Sequence, residues 1–201
     1  MSWIRLIDKA QAKGQLRALY ERIAGRGGRV DNILQAHSLR PHTLEGHMAL
    51  YKSVLHHSGN RLSRAWLETL GVYTSHLNRC NYCVEHHFAG LTRLLTDDSR
   101  AADIRRALES GELGGIFDER EQSMLAYAKA LSVQPPTVTR EHLDAMRAAG
   151  VSDGEILEVN QVVAYFAYAN RTALGLGVTT EGDVPGLSPG DQQDAENWRH
   201  C

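Results

Sequence analysis

The stretch Ser63-Arg-Ala-Trp-Leu-Glu68-Thr-Leu-Gly-Val-Tyr-Thr-Ser-His-Leu-Asn78-Arg79-Cys80-Asn-Tyr-Cys83-Val-Glu-His-His87 decides the fold. Trp66, Leu70, Tyr73 and Leu77 recur at the three- and four-residue intervals of an amphipathic helix, and Ser63 is a suitable N-cap for it. Asn78 tolerates the left-handed conformation and can stop that helix, and a second is predicted from Cys80 to about Leu95. At about 100° per residue, Cys83 and His87 fall about 60° and 20° around the second helix from Cys80. Two thiols and an imidazole therefore share one stripe.

That spacing has redox chemistry in it. Cysteines at i and i+3 can close a disulfide, and the N–H groups of a helix start lower a thiol pKa there. A histidine one turn on can take a thiol proton directly or through a water. The helix start favours ionising Cys80 and the histidine spacing favours Cys83. The positioned base is the more selective influence, so Cys83 is read as the reactive thiol.

Glu68 stands 12 residues before Cys80, which on one continuous helix would put it about 18 Å away. If the chain reverses near Asn78-Arg79, Glu68 lies about 10 residues before the bend and His87 about 9 after it, at nearly the same height. Gly71 and Ser75 share the Glu68 side of the helix and let a second helix approach closely. A carboxylate there could orient the imidazole.

Outward from this pair the same helical periodicity runs through the chain, and no strand is predicted, so the fold class is all-α. Asp8 caps a first helix from about Ala10 to Ile23, ended by Gly25-Arg-Gly-Gly28. A short helix covers Asn32 to Ser38, and Pro41 opens one to about His57. Others cover Asp98 to Ser110, Asp118 to Leu131, Thr139 to Ala149 and Ser152 to Leu174, the last with a Ser152…Glu155 capping box. Pro135-Pro136 reads as a turn between helices. The domain organisation is one helical domain over residues 1–180 and a flexible C-terminal tail over 181–201, which has little to bury beyond Trp198.

The 201 residues, 42% hydrophobic and 23% charged, suit a single globular domain. The 22 basic and 24 acidic side chains are interspersed at a net charge of −2, which argues against nucleic acid and anionic lipid as partners. The longest apolar run, Val162 to Ala169, falls far short of the roughly 20 residues of a membrane span. The start lacks a signal-peptide pattern, so a cytoplasmic location is expected. Three cysteines do not make a disulfide framework. A zinc site ranks below redox chemistry, because Cys80, Cys83, His86 and His87 have no second ligand pair at finger-like spacing. His76 and His86 are expected at the surface or an interface, and His37, His42, His47, His56 and His57 form no ligand set. Trp66, Tyr73, Tyr165, Phe166 and Tyr168 read as core or subunit contact, and Cys201 as a mobile terminal thiol.

Glu68, Cys80, Cys83 and His87, at spacings of 12, 3 and 4, resemble the alkylhydroperoxidase D-like branch of the carboxymuconolactone decarboxylase superfamily. The likeness extends to Ala10…Gly14…Leu19-Tyr20, Asn32-Ile33…Ser38…Arg40-Pro41 and Asn170-Arg171…Ala173-Leu174-Gly175, covering roughly Ile4 to Val178. The resemblance implies a helical, usually oligomeric fold and a thiol peroxidase or disulfide reductase activity without bound cofactor or metal. It also implies the roles. Cys83 attacks an organic hydroperoxide and becomes a sulfenic acid, Cys80 closes the disulfide, Glu68 and His87 relay protons, and a dithiol protein regenerates the pair. Where members of that family carry a histidine immediately before the second cysteine, this chain has Tyr82, one imidazole fewer. Two other functions stay open: a disulfide-exchange adaptor acting on another protein, and a non-redox relative with vestigial cysteines.

Overall fold

Nine α-helices and no strand are found among the described residues, 2–25, 28–190 and 192–201 of the computed structural model. They are α1 (Gly14–Ile23), α2 (Asn32–Gln35), α3 (Pro41–Leu55), α4 (Arg64–Leu77), α5 (Asn81–Leu95), α6 (Asp98–Ser110), α7 (Glu119–Val133), α8 (Arg140–Ala148) and α9 (Asp153–Gly175). Pro135–Thr137 forms a 3₁₀ turn between α7 and α8. None of these helices is long and apolar enough to cross a membrane.

Side-chain caps set four of the starts. The Ser63 hydroxyl accepts from Trp66 N at 3.2 Å, Asp97 from Arg100 N at 2.9 Å and Asp118 from Glu121 N at 2.8 Å. Ser152 and Glu155 form the expected capping box. The first helix starts later than expected. Asp8 closes a turn by accepting from Gln11 N at 2.8 Å, and extended Lys13 followed by Gly14 at φ +54° keeps residues 10–13 out of α1. Of the Gly25–Gly28 run expected to end it, Arg26 and Gly27 lie outside the described residues, as do Met1 and Asp191.

Helix α9 lies across α3, α4, α5 and α7 and carries much of the core: Val159, Val162, Val163 and Phe166 are fully or almost fully buried, against Leu67 and Leu70 of α4 and Met124 and Leu125 of α7. Each such side chain contributes roughly 1.5–3 kcal/mol on burial. Gly71 permits the closest approach, since a Cβ there would sit 2.3 Å from the Phe166 ring. The small side of α4 therefore receives a ring from α9 as well as the neighbouring α5.

The described residues of 181–201 add no helix, yet they are folded against the domain. Trp198 is buried as expected, under a cation–π contact from Arg22 at 3.6 Å. His200 is also buried, its N–H donating to Ile23 O at 3.0 Å. The Asp183 side chain is only 4% exposed.

Candidate functional site

The turn between α4 and α5 builds the site. The left-handed residue is Arg79 at φ +57°, while Asn78 stays right-handed at φ −82°, a correction to the expected stop. The cause is a Schellman closure: Cys80 N donates to Ser75 O and Arg79 N to His76 O, both at 2.9 Å, so the residue between must turn left. Cys80 is then not in the first helical turn. It is the N-cap of α5, with φ −93° and ψ 85°, and Cys83 is the third helical residue.

Contact between the two thiols, more than this placement, sets which of them ionises first. The neighbouring Cys83 thiol is the largest influence lowering Cys80, and with the backbone at Cys83 and Tyr82 and the His87 ring it brings the Cys80 thiol down to about 7 against its burial. Cys83 is held well above its ordinary value by the same contact and by burial. In the resting pair the more acidic thiol is thus Cys80, although His87 was expected to favour Cys83.

The chain does reverse so as to bring Glu68 and His87 together. His87 Nδ1 donates to Glu68 Oε2 at 2.6 Å, between side chains 14% and 4% exposed. Phe166 packs edge-on against the His87 ring at 4.6 Å, so Gly71, by admitting Phe166, sets the imidazole's other contact. A carboxylate at Nδ1 leaves Nε2 to exchange protons.

Both cysteines are buried, Cys80 fully and Cys83 almost so, and they border different spaces. Cys83 and His87 line a cavity of about 40 Å³ closed by α2, α3, α9 and the C-terminal segment. Cys80 lines a separate groove of about 300 Å³ with Arg79, Trp3, Leu174 and Val178. Trp3 is 80% exposed there.

Several residues in this region were not singled out by the sequence. His86, expected at a surface or interface, is buried: it stacks on Tyr82 at 4.4 Å, and its Nε2 lies 3.2 Å from Asp183 Oδ2. The Tyr82 hydroxyl donates to the same carboxylate at 2.7 Å and accepts from Ile33 N at 3.1 Å. Asp183 also accepts from Asn32 N at 3.1 Å. Where the family resemblance calls for an imidazole, this chain has a phenol fixed to the C-terminal segment. His37, His47 and His56 are buried too, and burial lowers the first, brings His47 down to about 3 and holds His56 well below its ordinary value. The only sequence signal for these was the density of histidine, which says nothing of burial. Among the described residues no three His, Cys, Asp or Glu side chains converge as metal ligands. Cys201 is exposed and remote from the pair in its contacts, its N–H donating to Ser188 O at 3.0 Å.

No protein-family model matches the chain. Sestrin-2 from Mus musculus and from Bos taurus are each 25% identical over 168 residues, 82% of this chain. The chain spans about a third of the length of these curated relatives, 32% of the mouse protein. Among solved structures, an uncharacterized peroxidase-related protein with an alkylhydroperoxidase AhpD core from Ralstonia eutropha JMP134 superposes with a TM-score of 0.77 at 22% identity, covering 92% of this chain and 97% of that one. A peroxidase-related protein from Silicibacter sp. TM1040 gives 0.76 at 21% identity, covering 89% and 91%. The debrominase Bmp8 in complex with 2,3,4-tribromopyrrole gives 0.72 at 18% identity, covering 90% and 95%. The chain has the AhpD-like helical fold.

Proposed function

We propose that the chain is a thiol-dependent hydroperoxide reductase in which Cys83 attacks the peroxide and Cys80 resolves the product. The observation that carries this reading is the arrangement at the cavity: Cys83 borders it beside His87, which Glu68 holds at 2.6 Å, while buried Cys80 lies on the other side, under a separate groove. The peroxidase-related neighbours of the same fold support the activity class.

The pair shares one proton, held by Cys83 at rest. Passing it to His87 leaves a Cys83 thiolate facing the cavity, with Cys80 still ionised. That thiolate takes the terminal oxygen of the hydroperoxide: the S–O bond forms, the O–O bond breaks, and the alkoxide leaves as the alcohol with a proton from the His87 and Glu68 relay. The Cys80 thiolate then displaces the hydroxyl of the sulfenic acid, which leaves as water with one further proton, and the disulfide closes. A dithiol protein supplies two electrons, and the groove at Cys80, with its exposed Trp3, gives that exchange a face of its own. The chain is further proposed to act in the cytoplasm and as a homo-oligomer.

The test is consumption of an organic hydroperoxide with single cysteine variants. Cys83→Ser is expected to abolish turnover, and Cys80→Ser to permit one turnover and leave a sulfenic acid on Cys83 that dimedone traps. Dimedone on Cys80 in the Cys83→Ser protein, with none on Cys83 in the reverse variant, would exchange the roles. Full function with both thiols replaced would remove redox chemistry altogether.

A further inference from the structure

The cavity at Cys83 has two buried imidazoles that the thiol chemistry does not use. His47, from α3, and His200, from the C-terminal segment, both line it and are 3% and 6% exposed. Each has one ring nitrogen engaged. His47 Nε2 is 3.3 Å from the Tyr165 hydroxyl, and His200 Nδ1 is 3.5 Å from Asp31 Oδ2. The other nitrogens, His47 Nδ1 and His200 Nε2, have no hydrogen-bond partner in the protein. A buried polar group in that state is costly, and a ligand's hydroxyl or carbonyl relieves it.

Charge and size narrow what the ligand is. Among the described residues no Lys or Arg lines the cavity, whereas the Asp31 carboxylate does. Two further carboxylates stand directly behind its lining: Glu68 on His87, and Asp183 on Tyr82 and His86. His47 is held neutral by burial and does not offset them. An anionic head would therefore meet a carboxylate in the lining with no Lys or Arg beside it, since the cations of Arg64 and Lys52 act from behind Tyr51 and His56. The volume of about 40 Å³ compares with the roughly 10–15 Å³ that a single water needs, which leaves room for a handful of non-hydrogen atoms. Ile33, Leu34, Ala169 and Leu187 give those atoms an apolar wall.

We infer that this cavity is a binding site for a compact, uncharged molecule with a hydrogen-bonding head, that His47 and His200 hold the head, and that the C-terminal segment is one wall of the site. The segment is seated for that purpose at both ends. A Cβ on Gly186 would come within 2.9 Å of the Ala89 backbone of α5, and one on Gly25 within 1.8 Å of His200 O. Resting on the peroxidase reading, the inference narrows the substrate to small neutral hydroperoxides and disfavours carboxylate-bearing ones.

Two experiments on the full chain separate this inference from that reading. The first needs no turnover: saturation-transfer NMR with tert-butyl alcohol against pivalate, which share a tert-butyl group and differ in the charge of the head. Transfer to the alcohol and none to pivalate is expected, with the alcohol signal lost in His47→Phe and His200→Phe and restored in His47→Asn. The second compares tert-butyl hydroperoxide with 3-hydroperoxy-3-methylbutanoate. The neutral peroxide is expected to have at least a tenfold higher kcat/KM, and the Phe variants to raise its KM about five- to tenfold with a smaller change in kcat. Equal transfer to both ligands, equal rates with both peroxides, or Phe variants with unchanged binding would overturn the inference. If no peroxide is consumed at all, the peroxidase reading fails and the NMR arm alone decides the cavity's preference. If a Phe variant fails to fold, the wild-type comparison of alcohol with pivalate still decides it.

Discussion

Removing the Cys83 thiol should make Cys80 a weaker acid, whereas independent thiols would show no change. The Cys80 value of about 7 has the Cys83 thiol as its largest cause, ahead of the backbone at Cys83 and Tyr82 and the His87 ring. In Cys83→Ala that thiol is gone, while the burial that opposes ionisation remains. The Cys80 pKa is then expected to rise to at least the ordinary thiol value of about 8.5, a shift of about 1.5 units or roughly 2 kcal/mol. At pH 7 the thiolate fraction falls from about one half to about 3%, so alkylation slows about fifteenfold. Cys83→Ser keeps a hydroxyl donor in place and should retain part of the depression. Thiolate absorbance near 240 nm against pH, on a Cys201→Ser background, reads the ionisation without depending on reagent access. Iodoacetamide rates with peptide mapping assign it to Cys80. A Cys80 midpoint still near 7 in Cys83→Ala would refute the reasoning, since the start of α5 would then suffice to hold the thiolate.

Two further outcomes follow from the packing around the site. Gly71→Ala places a methyl 2.3 Å from the Phe166 ring, and the overpacking should cost about 1–3 kcal/mol in urea unfolding; an unchanged midpoint would mean that α9 yields freely there. Stability should fall as pH drops below about 6.5, because His37, His47 and His56 are lowered by burial in the folded chain, with His47 near 3. The unfolded chain then binds more protons, and each such histidine contributes a slope of up to about 1.4 kcal/mol per pH unit between its unfolded and folded values. Chemical denaturation between pH 7 and 4.5 should show this slope reduced by about one proton in His47→Gln, and a flat profile would contradict the burial of these rings.

What was legible in the sequence is what is local in the chain. The Ser63, Asp118 and Ser152 starts follow from a side chain reaching an amide two or three residues on, and the helical faces follow from a 3.6-residue period. The pairing of Glu68 with His87 was legible too, because a single reversal near residue 79 fixes the height of both. The finer geometry of that reversal was not, since Arg79 turns left because the Cys80 N–H reaches Ser75 O, a closure that overrides the preference of Asn78. The order of the two thiol pKa values was not legible either, because it turns chiefly on the contact between the two side chains. The rest of the cavity was decided by tertiary structure alone. Asp183 meets Tyr82 across 101 positions and His47 meets Tyr165 across 118, and no period or motif links residues so far apart. A histidine in a sequence carries the same ring whether it is solvated or buried, and only the packing of α3, α5, α9 and the C-terminal segment around one cavity separates His47 and His200 from exposed His57.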